Sequence, residues 1–436
     1  MKRGLLLTLL SLLIVSQSFS QFSLKAEFRP RFEYRCGYSE FVSKDNQPVF
    51  TISNRTRLSA YYQWDILSFG LGIQDVRVWG DENWASSTAV IGDTSSIDLN
   101  EGWIGIKPYK NGFIKIGRQY WAYEDERMLS TRSWNQSEVK YDGVLFQHST
   151  DKFRVDAGFS WNNAVDKSYN DAYPKSKMKS MNFIYLKKTI NDWLNISATA
   201  LASGFTKYDT SKNVKDINWQ GTYGVYLNIK KGGLTGLING YYQNGKSRFN
   251  SMKTSAYMFS VSGDYLIKKK FSAGACIDYL SGQNQKNTDD DYTEMYHSFD
   301  MLYGIRHRVF GHMDLFNNLK KSTGEGGIID GYIRLKWFPA AKTTYIGADF
   351  HYFSLQNWVE DKTGEFDYLA KGLGSEIDLN FSWDINKIFN IKGGYSFFLA
   401  TDSMEKLQNV YNNSRFPNWA WIMITAKPVF LDTAQK

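Results

Sequence analysis

Residues 21–35 read Gln21-Phe-Ser-Leu-Lys-Ala-Glu-Phe-Arg-Pro-Arg-Phe-Glu-Tyr-Arg35, and this stretch decides the fold class. Every second residue is apolar, and most of the positions between them are charged. A period of two indicates a β-strand with one apolar and one charged face. In a soluble sandwich the apolar face would point inward. In an outer-membrane barrel it would meet lipid, and the charged face would line a wet lumen.

The composition favours the barrel. Aromatic residues make up 16% of the 436 residues, and glycine occurs 35 times against 7 prolines. The mean hydropathy is −0.43, and beyond the N-terminus no apolar run approaches the ~18 residues that a membrane helix needs. A polar, aromatic-rich chain without helical spans is typical of a membrane barrel, although soluble all-β proteins share part of this profile.

Residues 1–20 are predicted to be a secretory signal peptide, and residues 21–436 a single barrel domain. Lys2 and Arg3 form the basic end, residues 5–15 the apolar core, and Ser18-Phe-Ser20 a cleavage site of the small-x-small type. The apolar core is too short to anchor the chain in a membrane.

Net charge limits the classes of partner, and the cysteine content limits the number of disulfides. The formal net charge is +8 and falls to about +6 without the two basic residues of the signal peptide, which favours anionic partners. Export from the cytoplasm argues against nucleic acid. Cys36 and Cys276 are the only cysteines, so at most one disulfide can form and no disulfide framework is expected.

The spacing of the strand-like segments predicts a closed barrel. About eighteen strand-like segments follow one another, the last over residues 418–430, and a bulge is expected near residues 74–77. Short connections (108–112, 150–151, 231–233, 268–269, 339–342, 386–387) alternate with long ones (36–49, 80–96, 121–139, 163–178, 282–326, 356–372, 402–417). Short periplasmic turns and long extracellular loops produce this rhythm, and lipid cannot satisfy an open strand edge. We therefore predict an all-β fold, a transmembrane antiparallel β-barrel of the bacterial outer membrane.

Basic residues concentrate on the face predicted to line the lumen. Arginine forks match carboxylates and stay charged at any working pH, and rings of Arg and Lys select anions in pores. The predicted pore-lining residues are Lys25, Arg29, Arg31, Arg35, Arg55, Arg57, Asp75, Arg77, Arg118 and Arg127. In the alternative interpretation, acids such as Glu27, Glu33, Asp75 and Asp156 pair with these residues and only stiffen a wide barrel.

Several motifs resemble the alginate-export family of outer-membrane barrels. They are Arg29-Pro-Arg-Phe-Glu-Tyr-Arg35, Asn54-Arg-Thr-Arg-Leu58, Gln74-Asp-Val-Arg-Val-Trp-Gly80, Lys115-Ile-Gly-Arg-Gln119, Asp125-Glu-Arg-Met-Leu129 with Trp134, and Tyr141-Asp-Gly143. The resemblance implies an eighteen-stranded barrel whose arginine-lined pore passes an anionic uronic-acid polysaccharide outward. It also implies pore roles for Arg29, Arg31, Arg55, Arg57, Arg77, Arg118 and Arg127. The family's pore is described as gated partly by a long periplasmic turn, whereas every predicted periplasmic turn here is short.

The longest loop carries other candidate groups. Asp300, His307, His312 and Asp314 could be read as a metal site or a hydrolase constellation, but their spacing matches no firm ligand pattern. We predict instead that this loop folds into the lumen. The acidic run 289–291 is predicted to be solvated rather than to bind Ca²⁺.

The sequence thus predicts a passive channel for an anionic polysaccharide, with no catalytic residues, metal or cofactor. Its expected partners are the polysaccharide and outer-membrane lipid, and periplasmic export partners stay open. One alternative is a general anion-preferring porin for small solutes or oligosaccharides. The other is an outer-membrane hydrolase, which would need a nucleophile and a base in contact at a strand end.

Overall fold

Eighteen strands form one closed antiparallel β-barrel. The computed structural model describes residues 21–80, 97–166, 168, 173–174, 177–208, 214–340 and 343–433, so the predicted signal peptide lies outside the described residues. The strands are β1 Gln21–Cys36, β2 Val49–Trp64, β3 Leu67–Val78, β4 Ile97–Ile106, β5 Gly112–Gln119, β6 Tyr141–Ser149, β7 Phe153–Trp161, β8 Met178–Asn191, β9 Leu194–Tyr208, β10 Val214–Lys231, β11 Leu234–Gly245, β12 Ala256–Ile267, β13 Phe271–Leu280, β14 Ile328–Trp337, β15 Tyr345–Leu355, β16 Gly372–Asp384, β17 Phe389–Ala400 and β18 Asn418–Ala426, which continues as Val429–Asp432. The predicted fold class is confirmed.

The barrel closes because β1 pairs with both β2 and β18. The closing strand is interrupted at Lys427-Pro428, where the predicted segment 418–430 was expected to be continuous. Proline has no N–H to give to a strand ladder, and the register between β18 and β1 shifts between Leu24 and Lys25. The predicted bulge lies close to its expected place, since the register of β3 with β4 shifts between Gly72 and Ile73.

The two faces of the strands differ as the period of two predicts. Phe28 is 47% exposed and Phe159 49% exposed on the outer surface, whereas Asp156 and Asp378 are fully buried on the inner face. An apolar belt on the outside and polar groups inside is the arrangement of a barrel in a lipid bilayer. The outer surface is therefore the face that contacts lipid.

In the described part of the chain, the long loops carry the remaining regular structure. Their helices are α1 Asp290–Thr293, α2 Leu319–Ser322 and α3 Asp402–Leu407, and a short parallel pair joins Lys253–Thr254 to Met295–Tyr296. None of the helices in the described ranges has the length and apolar character needed to cross a membrane.

Two long loops fold back into the barrel. We call residues 120–140 the inner loop and residues 281–327 the plug loop. Apolar side chains of the plug loop, including Phe299, Phe310 and Phe316, are buried against wall residues such as Phe353 and Phe398. The predicted folding of the longest loop into the lumen is therefore confirmed.

Candidate functional site: the barrel lumen

The arginines of β1 and β2 face inward and hold the inner loop. Arg29 lies opposite Arg55 in the register of the two strands. Arg29 donates hydrogen bonds to the carbonyl oxygens of Ser133 at 2.8 Å and Asn135 at 2.9 Å. Arg31 donates to the carbonyl oxygen of Trp134 at 2.9 Å. These side chains are almost fully buried, so their charge is used first to position backbone rather than to meet solvent.

Carboxylates complete this contact. Glu138 of the inner loop lies 2.9 Å from a guanidinium nitrogen of Arg55 and 2.9 Å from one of Arg57. Burial alone would raise the pKa of Glu138, but the two arginines outweigh it and hold the pKa below its ordinary value. Glu27 contacts Arg55 in the same cluster. The alternative in which acids pair with the arginines thus describes the arrangement of these two strands.

Arg35 and Lys25 lie on the same inner face at the two ends of β1. Arg35 is 2.8 Å from the buried carboxylate of Glu33, which also binds Arg31 at 2.8 Å. Lys25 is exposed towards the short-turn end of the barrel. Of the two, only Lys25 is placed to meet solute entering from the periplasmic side.

Arg127 anchors the inner loop to the opposite wall. Its guanidinium is 2.8 Å from Asp278 of β13 and 3.0 Å from Asp125 of its own loop. The side chain is only 4% exposed. A buried pair of this kind is costly to break from one side, because the partner charge is left without compensation.

The inner loop and the plug loop also bind each other. Arg132 donates to the carbonyl oxygens of Leu302 at 2.8 Å and Gly304 at 2.9 Å. The ring of Trp134 stacks on that of His307 with 3.9 Å between centroids. The two loops therefore form one joined body in the extracellular half of the lumen.

The histidines and aspartates of the plug loop take part in several separate contacts. His307 Nδ1 lies 3.0 Å from Asp314 Oδ1, but Asp300 binds Arg248 and His312 is 3.8 Å from Asp349. Within the described ranges, no group of three or more His, Cys, Asp or Glu side chains is arranged to hold a metal ion. Cys36 and Cys276 are buried free thiols.

Three residues from the predicted pore lining face outward, and we exclude them from the pore. Asp75 lies opposite Thr56, which in turn lies opposite the outward-facing Phe28, and Arg77 follows two residues later on the same face. Arg77 binds Asp75 at 2.7 Å. Arg118 pairs with Asp142 at 2.8 Å across β5 and β6.

The position of these three residues explains why the sequence analysis wrongly predicted that they line the pore. These residues lie near the extracellular ends of their strands, where a charged side chain on the outer face can reach water instead of lipid. Charge alone therefore does not identify the lumen face at that height. The period of two, counted from exposed Leu71 and Ile73 on β3, would have placed Asp75 and Arg77 outside.

A second basic group lies on the inner wall nearer the short turns, and the sequence analysis did not select it as pore lining. Its members are Lys115, Arg154, Lys187, Lys230, Arg334, Lys336 and Lys392, which we call the basic band. They are half-buried or exposed. On β14, Arg334 and Lys336 alternate with exposed Ile333, Leu335 and Trp337, so the period of two places both residues on the polar face of this strand.

The plug loop adds one cation above this band. Arg308 has a φ of 80° at a tight turn, and its side chain is 61% exposed. Its nearest acid is Glu126 at 3.9 Å. Arg308, Lys336 and Lys392 are close enough for the charge of Arg308 to act on both lysines. The lumen below the joined loops is therefore lined by accessible positive charge.

Comparison with known proteins agrees with this architecture. The profile of the family described as alginate export matches residues 20–418, whereas no curated protein matches the sequence. Among solved structures, Acinetobacter baumannii OccAB4 superposes with a TM-score of 0.59 at 10% identity over 94% of this chain and 98% of that chain. A. baumannii OccAB1 gives 0.58 at 12% identity over 95% and 100% of the two chains.

Pseudomonas aeruginosa OccK5 (OpdH) gives a TM-score of 0.58 at 11% identity over 94% of this chain and 98% of that chain. At such identities the likeness shows the shared fold alone. The family match covers nearly the whole barrel, including the strands that carry the inward-facing arginines. The chain belongs to the alginate export family and is an outer-membrane β-barrel channel.

Proposed function

We propose that this channel passes anionic saccharides, with a uronic-acid polysaccharide as its principal substrate, and that it performs no chemistry. The observation that supports the proposal is the basic band on the accessible wall beneath the joined loops. Its members come from six different strands, β5, β7, β8, β10, β14 and β17. A carboxylate moving through the lumen would therefore meet positive charge on several sides.

The strength of this attraction suits conduction. A carboxylate ~4 Å from one such charge gains about 1 kcal/mol in bulk-like water and about 4 kcal/mol at the intermediate dielectric near a protein wall. Neighbouring strands are about 4.8 Å apart, so Arg154 and the opposite Lys187 can act on the same group. Several shallow sites in sequence bind anions well enough to select them and weakly enough to release them.

A general anion-preferring porin is the second candidate, and the joined loops favour it. Arg29, Arg31, Arg55 and Arg127 are all engaged in holding the inner loop. A path left beside a firmly held loop suits small solutes or oligosaccharides more readily than a polymer. The hydrolase alternative has less support, because His307 and Asp314 are buried within the joined loops.

The test is electrical recording from the purified barrel in planar bilayers. We expect reversal potentials in a KCl gradient to show anion preference, and Lys336→Glu with Lys392→Glu to shift them towards cation preference. A uronic-acid oligomer should block the wild type for longer than a neutral oligomer of equal length. A wild type without anion preference would contradict the proposal. Anion preference with no block by the uronic oligomer would favour the small-solute porin.

A further inference from the structure

Three aromatic side chains face the lumen together at the periplasmic end of the barrel. Tyr61 of β2 and Trp103 of β4 both lie opposite Gly70 of β3, and their ring centroids are 6.3 Å apart. Phe113 of β5 lies opposite the inward-facing Gln147. All three rings are half-buried. They line a cavity of about 610 Å³ at this end of the barrel, and the lining of this cavity also includes Tyr62 and Phe69 of the outer face.

Membrane anchoring does not account for these rings. The aromatic residues that anchor a barrel at the membrane interface point outward, as Tyr62, Trp64 and Phe69 do here with 38%, 48% and 45% of their surface exposed. Tyr61 and Trp103 have the opposite orientation and turn away from lipid. A polar lumen would be served by polar side chains at these positions, so the rings need another explanation.

Glycines let the rings lie along the wall. A Cβ atom added to Gly70 would lie 2.3 Å from Cε2 of Trp103, and one added to Gly105 would lie 2.4 Å from Cζ of Phe113. Each ring therefore covers bare backbone that any larger residue would obstruct. A glycine within a strand weakens it and marks a place of close approach. Here the close approach is that of an aromatic ring laid over the sheet.

Hydrogen bonds hold two of the rings in place. The carboxylate of Glu101 accepts from the indole nitrogen of Trp103 at 3.0 Å and from the hydroxyl of Tyr61 at 2.9 Å. Lys115 Nζ lies 4.0 Å from the centroid of the Trp103 ring. Tyr61, Trp103 and the neighbouring cation are thus held in place before any ligand arrives, which lowers the entropic cost of binding.

The rim of the same cavity is polar and includes a cation. Gln63, Gln147 and Arg154 line it together with the rings. Arg154 binds Asp156 through Nε and one terminal nitrogen, and its side chain remains 41% exposed. Amide groups that can bond hydroxyls, a guanidinium that can bind a carboxylate and a flat apolar surface are therefore available in one place.

We propose that Tyr61, Trp103 and Phe113 form a binding platform for one sugar ring of a uronic-acid chain at the periplasmic mouth. A pyranose ring has an apolar face of C–H groups, which can rest on an aromatic surface, while its hydroxyl and carboxylate groups point sideways. In this site the C–H face lies on Phe113, and the carboxylate turns towards Arg154 and Lys115. A bare inorganic anion would need the cations but not the rings. The inference rests on the proposed function, which it extends by naming a sugar subsite.

Phe113→Leu is the decisive variant, because it keeps an apolar side chain and removes the flat ring. In single-channel recordings with a uronic-acid oligomer on the periplasmic side, we expect the mean block duration to fall by about three- to tenfold. Reversal potentials should stay unchanged because no charge is altered. Phe271→Leu is the matched control, since Phe271 lies at the short-turn end of β13 and is 52% exposed on the outer surface; it should leave both quantities unchanged. Phe113→Tyr should restore the block.

The outcomes separate this inference from the proposed function. An anion-selective wild type whose block duration is the same in Phe113→Leu would overturn the platform and leave the channel proposal standing. A neutral oligomer held as long as the uronic one would overturn the assigned carboxylate contact. Loss of block in the Phe271→Leu control as well would also count against the platform, because it would trace the effect to the barrel wall in general and not to the inward ring of Phe113.

Discussion

Trp134 and His307 stack face to face, with 3.9 Å between ring centroids and 12° between ring planes. One residue belongs to the inner loop and the other to the plug loop, so this stack is a joint between the two. The guanidinium of Arg31 also lies over the ring of Trp134, 4.3 Å from its centroid. Trp134→Leu should loosen the joint and raise the mean conductance and current noise in planar bilayers. Unchanged conductance would mean that the joint does not restrict the lumen.

Acid should weaken the same joint. Burial lowers the pKa of His307, although Asp314 opposes the shift; His312 and Arg31 also act on the ring and favour its neutral form. The docked loop therefore prefers neutral histidine, and its stability is complete above the ordinary pKa of about 6.5 and declines as pH falls below it. We expect channel opening to increase as the pH is lowered from about 7.5 to about 5.5. His307→Gln should reduce this response, and a variant with the full response would show that another group titrates.

Glu138 should act as an internal counter-charge that keeps the inner loop in place. Glu138→Gln removes the ion pairs with Arg55 and Arg57, and breaking a buried pair from one side costs on the order of 3–5 kcal/mol. We expect more frequent opening of the channel in bilayer recordings while the barrel stays folded. Glu360→Gln changes an exposed glutamate of another loop and serves as the control. Equal behaviour of the two variants would show that Glu138 does not hold the loop.

Adjacent lysines on β8 allow a test of the lumen face. Lys187 lies opposite Arg154 on the inner face, whereas Lys188 lies opposite Phe153, which is exposed on the outer face. Lys187→Glu should shift the reversal potential in a salt gradient towards cations, because it places a negative charge in the conduction path. Lys188→Glu makes the same charge change outside and should leave the potential unaltered. Equal shifts would contradict the assignment of the two faces.

The lipid face can be tested with another adjacent pair. Val261 of β12 is 47% exposed on the outer surface, and Ser262 lies on the inner face opposite Cys276. Val261→Arg should cost roughly 2–4 kcal/mol of folding free energy near the membrane midplane. Ser262→Arg should cost much less, because a lumen-facing arginine can stay hydrated. Folding titrations into lipid vesicles measure the difference, and equal costs would argue against immersion of this surface.

Much of the barrel is predictable from the sequence because one local rule governs it. Phe153, Phe159 and Trp161 alternate with Arg154 and Asp156. Because lipid lies outside the barrel and water inside, this alternation determines which side chains face outward and which face inward. The inward direction of Arg29, Arg31, Arg55 and Arg57 follows from the same rule. Arg77 and Arg118 were predicted to face the lumen because they are charged, although the alternation along their strands places them on the outer face.

The interior of the lumen could not be predicted in the same way. Arg132 binds the carbonyl oxygen of Gly304 across 172 residues of chain, and no local pattern encodes a partner so distant. The sequence also does not show which arginines bind backbone carbonyl groups, because an arginine that faces an open pore and one that holds a loop have the same sequence pattern. The aromatic platform has a faint signal, Trp103 two positions from the inward-facing Gly105, and such a spacing also occurs where rings merely pack.

The seam between the first and last strands has a consequence for how the barrel folds. The backbone N–H of Phe22 donates to Oγ1 of Thr433 at 2.8 Å, across 411 residues. Ordering a contact of such separation carries a large loop-closure entropy, and folds rich in distant contacts form slowly. One edge of the first strand therefore stays unpaired until the final strand joins it. Closure of the barrel is a late step of folding, because it waits for two strands that are separated by nearly the whole described chain.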